Sequence, residues 1–231
     1  RQSSEEPFSL GIESSLTLNG IIDDEKYFWS KGGMQKGDQI LISRPLGTGV
    51  VFSAFTNGEV KPYILDSVLE EMNKSQHDIV NYINQLTNLN PRSKIVNACT
   101  DITGFGLLGH LSEMLESTNS DQLKMNLEPF KVTLELDNIP LYDGVKELLD
   151  KGFESSLAPA NQIFLKNIDG DKNLRFELTS NDSSSNRSFY NAMLKILVDP
   201  QTCGPLVVCC SSIYSEKLIQ QGPWIKIGSI S

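Results

Sequence analysis

The run ACTDITGFGLLGHL at residues 98–111 constrains this chain of 231 residues more tightly than any other segment. Residues 95–99 just before and into it form a short apolar stretch that reads as a strand. Asp101 stands where that strand ends, Gly104 and Gly106 follow, and Leu107, Leu108, Leu111, Met114 and Leu115 recur at helical spacing. A strand that turns through glycines into a helix places the turn at a strand's carboxyl end, where α/β sheets commonly bind ligands. Glycines let backbone N–H groups come close to a ligand, and a helix N-terminus favours anions. Asp101 is therefore a candidate Mg²⁺ ligand, because Mg²⁺ takes oxygen donors that it shares with substrate phosphates. The same residue types also fit a plainer role, in which Asp101 or Thr103 caps the helix and the glycines only make the turn.

The flanking patterns set the fold class. Strands are predicted at 16–22, 39–43, 95–99, 131–136, 174–178, 205–210 and 224–230 from alternation or short apolar runs. Helices are predicted from residue 50 after a Pro/Gly-rich turn, over 62–86 as one long element, and at 107–115, 141–149, 189–197 and 214–220. Pro62 suits the first turn of the long helix, and Gly152 follows the helix at 141–149. Residues 179–188 are a Ser/Asn/Asp-rich loop. Strands and helices alternate without strict regularity, which predicts an α+β fold: a mixed β-sheet with helices packed on it.

Composition removes several classes of function. With 39% apolar and 21% charged residues, the chain has enough to bury and is not disordered throughout. A net charge of −9 lacks the basic stripe of a nucleic-acid binder. No apolar run approaches the roughly 20 residues that span a bilayer. The polar N-terminus has no initiator Met and no signal-peptide pattern, so a cytoplasmic location without membrane or nucleic-acid partners is expected. Cys99 and Cys203 stand alone and Cys209 and Cys210 are adjacent, so none has C-x-x-C spacing. With only His77 and His110 to join them, a zinc site is not expected, and the cysteines read as small buried apolar residues. His77 reads as a surface or half-buried residue, and His110 as either a packing residue or part of a site.

The 98–111 run resembles the T-D-[IV]-T-G-F-G-L-L-G-H-L signature of selenophosphate synthetase, also called selenide, water dikinase. Further segments match in order. RPLGTGV at 44–50 resembles K-P-L-G-T-G-V, and Met72 and Asn73 stand where the family has an M-N pair within a helix. DPQTCGPL at 199–206 resembles D-P-Q-T-S-G-G-L, and IKIG at 225–228 resembles the closing strand. Residues 16–22 look like the strand L-x-V-T-G-I-V that joins the family's two halves. The departures are Arg44 for Lys, Cys203 for Ser and Pro205 for Gly; the last removes a backbone N–H and fixes φ.

The resemblance implies a fold like the C-terminal domain of aminoimidazole ribonucleotide synthetase. It implies that residues 1–24 hold the strand joining an N-terminal half that is missing here, and that 25–231 form the C-terminal domain. In the family, ATP and Mg²⁺ are bound between the halves and a phosphoryl group passes to selenide. The resemblance puts a metal ligand on Asp101 and gives Thr100, Thr103, Gly104 and Gly106 as residues shaping the phosphate pocket. It assigns no catalytic residue to this part, so the chain alone is expected to be inactive. The implied partners are ATP, selenide and the N-terminal half of the same chain, with a fused oxidoreductase domain in some members. Two other readings stay open. One is a related ATP-dependent enzyme acting on an amidine, carbamoyl or thiamine-type substrate, against which Gly-Phe-Gly at 104–106 argues. The other is a non-catalytic, partner-binding or regulatory module, which Cys203 and Pro205 favour and Asp101 disfavours.

Overall fold

The computed structural model describes residues 15–17, 19–22, 24–125, 127–166, 175–180 and 187–231. Six strands, β1 (Gln39–Ile42), β2 (Ala98–Asp101), β3 (Lys131–Glu135), β4 (Arg175–Thr179), β5 (Leu206–Cys210) and β6 (Ile225–Ile230), make one sheet in the order β2-β5-β1-β6-β3-β4. Every neighbouring pair is antiparallel except β3 with β4. The helices are α1 (Thr48–Thr56), α2 (Pro62–Asn73), α3 (His77–Leu89), α4 (Gly106–Lys124), α5 (Val145–Asp150), α6 (Ala158–Asn161), α7 (Arg187–Leu197) and α8 (Ser212–Gln221). The expected mixed sheet with packed helices is what forms.

Strand alternation divides the core in two. Ile40 and Ile42 of β1, Val207 and Cys209 of β5, and Ile227 of β6 face a large layer. That layer is filled by Val50 and Val51 of α1, Val68 of α2, Leu108 and Leu111 of α4, Leu148 of α5 and Ile196 of α7. Leu41, Val208 and Cys210 face the opposite way, onto Ile83 and Leu86 of α3, Leu218 of α8, and Trp224. Both faces of the central strands are thus covered, which is why β1 and β5 read as continuous apolar runs. No helix among the described residues is long and apolar enough to cross a membrane.

Several expected elements differ. The single helix over 62–86 is two helices, because Lys74 is extended (φ −71°, ψ 126°). The apolar spacing runs on across this break, but long-range bonds override it. The buried Arg44 guanidinium donates to the Lys74 carbonyl and, at 3.0 Å, to that of Cys203. Gln76 accepts from Ser43 Oγ and donates to the Gly204 carbonyl at 3.4 Å. The strand expected at 95–99 lies at 98–101, with Ile95 and Val96 buried in the approach to it. The helix expected at 141–149 begins at Val145, since Leu141 instead bridges Leu46. Leu136 opens a 3-10 turn rather than closing β3.

Residues 16–22 form no strand among the described residues, and Leu16, Ile21 and Ile22 are 83%, 91% and 57% exposed. No sheet face receives these side chains, so their alternation has nothing to stabilise it. Residues 1–14, 18 and 23 lie outside the described residues, as do Leu174 and 181–186 of the expected polar loop. The ends of that loop are built into regular elements: Thr179 closes β4, and Arg187 and Ser188 open α7.

β6 crosses between β1 and β3 at Gly228, where a Cβ would lie 2.1 Å from the Thr133 carbonyl oxygen. The obstacle is backbone in the sheet centre and cannot swing aside. Gly228→Ala is expected to destabilise the fold by roughly 2–3 kcal/mol, as overpacking does. Urea denaturation of the two proteins measures the difference.

Candidate functional site

Asp101 ends β2, paired with Leu206 of β5, and its side chain is exposed. The carboxylate accepts no hydrogen bond and joins no ion pair with any described residue, so it does not cap α4. The turn after it is held from three directions. Ile102 N–H donates to the Pro205 carbonyl at 2.9 Å, and the Thr103 carbonyl accepts from Gln201 N–H at 2.9 Å. Asn161 Nδ2 donates to the carbonyls of Gly104 (2.7 Å) and Val198 (3.0 Å). Thr103 N–H meets His110 Nε2 at 3.1 Å. The backbone N–H groups of Gly104 and Phe105 find no acceptor among the described residues.

The four residues expected to shape a phosphate pocket separate into two pairs. Thr103 and Gly104 are exposed, and a Cβ on Gly104 would meet no protein atom within 4 Å, so the space above it is open to a ligand. Thr100 is buried, with its hydroxyl 3.3 Å from the Asp101 carbonyl. Gly106 is buried too, at φ +70°, and a Cβ there would strike Val198 backbone carbon at 2.7 Å. Its glycine is required by the protein's own packing.

A second loop, 199–205, backs the first. Gln201 is buried; its Oε1 accepts from the N–H groups of Gly47 (3.0 Å) and Thr48 (3.2 Å), and its Nε2 donates to Asp199 Oδ2 at 2.8 Å. Asp199 Oδ2 also accepts from Gly49 N–H at 3.1 Å, at the start of α1. Asp199 Oδ1 is buried without a partner among the described residues. A helix N-terminus favours the anion, but burial outweighs it and pushes the Asp199 pKa up to about 7. Neither Asp199, Gln201 nor Asn161 stood out as a functional residue in the sequence. For the first two the ordered DPQT match was a usable signal, whereas Asn161 in a four-residue helical turn carried none.

The departures at 203 and 205 are accommodated. Pro205 lacks an N–H but its carbonyl takes that of Ile102, and Leu206 N–H donates to Ser43 Oγ at 2.9 Å. Cys203 is exposed, at φ +48°, so it is not the buried apolar residue expected, because the loop turns through a left-handed conformation there. Cys209 and Cys210 are buried in the sheet, and Cys99 is half-buried. His77 opens α3 on the surface, with its Nε2 2.7 Å from Asn81 Nδ2. His110 is buried beneath the turn.

No group of three or more His, Cys, Asp or Glu side chains placed to hold a metal exists among the described residues. A single uncommitted carboxylate at a strand end does not make an all-protein cage. It does fit Mg²⁺, which commonly keeps one or two carboxylates and fills its other positions with phosphate oxygens and water.

Residues 35–218 match the model of the family "AIR synthase related protein, C-terminal domain". This chain belongs to that family. A selenide, water dikinase from Caldanaerobacter subterraneus subsp. tengcongensis is 31% identical over 212 residues, covering 89% of this chain and 50% of the relative. One from Clostridioides difficile is 28% identical over 205 residues, covering 89% and 49%. The chain thus spans about half the length of the curated relatives it matches. Among solved structures, thiamine monophosphate kinase from Aquifex aeolicus aligns with a TM-score of 0.52 at 15% identity, covering 88% of this chain and 50% of that one. HypE from E. coli, a hydrogenase maturation protein, aligns with a TM-score of 0.50 at 12% identity over 88% and 46%. At these identities the likeness is one of fold.

The Asp199 carboxyl gives this family member a pH signature. Its folded pKa of about 7 stands above the usual carboxylate value of 3.8, so between those pH values the folded chain binds more protons than the unfolded one. Stability is then greatest below about pH 4 with respect to this group and falls as pH rises through 7, by on the order of 4 kcal/mol in all. Asp199→Asn should flatten that slope. Urea midpoints between pH 5 and 8 (roughly the titration range) for both proteins measure it.

Proposed function

We propose that this chain supplies one wall of an ATP-dependent phosphoryl-transfer site of the selenide, water dikinase type, with selenide as acceptor. The observation that carries the reading is the uncommitted Asp101 carboxylate beside a turn with two unused N–H donors, at Gly104 and Phe105. Phosphoryl transfer asks a protein chiefly to position the phosphates and neutralise their charge. Asp101 would hold Mg²⁺ together with phosphate oxygens, and the bound ion would supply charge neutralisation there. The Gly104 and Phe105 N–H groups would donate to a phosphate oxygen across the open space above Gly104. A chain of net charge −9 repels a free polyphosphate, so binding through the metal is the favourable route. The remaining ligands and the selenide pocket would come from an N-terminal half, in keeping with relatives about twice this length.

Asp101→Asn separates this role from a structural one. Because the carboxylate has no partner among the described residues, the change should move stability by no more than about 0.5 kcal/mol. In the full-length gene product it should lower Mg²⁺-dependent ATP turnover with selenide by at least about a hundredfold, beyond the loss seen for outer-shell changes. Turnover near wild type in that variant would overturn the assignment.

A further inference from the structure

The bonds around His110 decide where its proton lies. Thr103 N–H can only donate, and it points at His110 Nε2 from 3.1 Å, so Nε2 bears no hydrogen. Thr103 Oγ1 lies 3.0 Å from the same nitrogen. In the neutral ring the proton is therefore on Nδ1, where Glu113 Oε2 lies 3.3 Å away, too oblique for a full hydrogen bond. The charged groups facing the ring are Glu113 on α4, Lys31 from the segment before β1, and Asp101 on β2. Burial dominates them and pushes the His110 pKa down, which keeps the ring neutral and Nε2 an acceptor. Lys31 Nζ also holds Glu113 Oε2 at 2.8 Å, so a chain of polar contacts runs from the turn to the surface. Phe105 packs its ring 5.7 Å from the imidazole and 6.0 Å from Phe164, closing the other side.

We infer that His110 is a positioning residue for the 101–106 turn: its unprotonated Nε2 anchors the Thr103 N–H and so orients the free donors of Gly104 and Phe105. The direction of this bond matters. If Nε2 carried a proton, two donors would face each other and the turn would lose its anchor beneath Thr103. His110 itself touches no ligand, because it is buried under the turn. Its role in phosphate binding rests on the function proposed above; its role in holding the turn does not.

Three substitutions in this chain test the inference by hydrogen exchange of the Thr103, Gly104 and Phe105 amides. Gln places an oxygen near the position of Nε2, Asn places its amide near Nδ1, and Leu removes both polar atoms. His110→Leu and His110→Asn should speed exchange at Thr103 roughly tenfold, as loss of one partly buried bond does. His110→Gln should stay within about twofold of wild type. Core amides of β5 serve as the control for the global fold, and if the Leu variant does not fold, the Asn and Gln pair still decides. Ring-nitrogen NMR of the wild type should show protonated Nδ1 and bare Nε2. Equal exchange in the Asn and Gln variants, or a proton on Nε2, would overturn the inference. In the full-length product, His110→Gln should retain ATP turnover that His110→Asn loses. Normal turnover in Asp101→Asn, with the exchange pattern as expected, would sink the proposed function and leave the anchor standing.

Discussion

Gln201 joins more of this molecule than any other side chain near the site. Its amide oxygen takes the first N–H groups around the start of α1, its amide nitrogen holds Asp199, and its own backbone N–H fixes the Thr103 carbonyl. Gln201, Thr48 and Asp199 are buried, so a lost bond among them would leave an unsatisfied polar group costing about 1–3 kcal/mol. The turn after β2 therefore owes its shape to the 199–205 loop, and that loop owes its shape to α1. Asp101, the side chain proposed to hold a metal, stands at the end of this chain of dependence and has no partner among the described residues.

Asp199 shows what such an arrangement demands. One oxygen accepts from Gly49 N–H and Gln201 Nε2, and the other is buried with no partner among the described residues. A neutral asparagine could accept the same bonds without the desolvated charge. The carboxylate thus gives up stability at neutral pH, a pattern expected where local structure serves a site as well as the core.

Much of the fold was legible because its signals were local. The apolar runs of β1 and β5 and the helical spacing of α4, α7 and α8 each arise from burial against a fixed neighbour, and such burial writes its period into the sequence. The break between α2 and α3 was not legible, since Leu69, Met72, Ile79 and Val80 keep helical spacing across it. The contacts that impose it come from Arg44 and Gly204, distant in the chain. The site divides in the same way. Asp101 and the glycines could be read from strand, turn and helix, whereas the internal need for Gly106 depends on Val198, and Asn161 matters only through two carbonyls brought to it by folding. Residues 16–22 carry a strand's alternation, yet their described residues pair with no strand, so alternation without a sheet to receive it does not make a strand.

The place of β2 at one margin of the sheet bears on self-association. A bare marginal strand offers a row of donors and acceptors to any other chain, and proteins commonly block it with short length, charge or a covering segment. Here β2 is four residues long, its Cys99 N–H is already taken by the Ser30 carbonyl at 2.9 Å, and it ends in the Asp101 charge. A second copy approaching edge to edge would meet an occupied donor and a charged strand end. The carboxylate proposed to take a cation is thereby also a guard against polymerisation, and a cation bound there would weaken that guard.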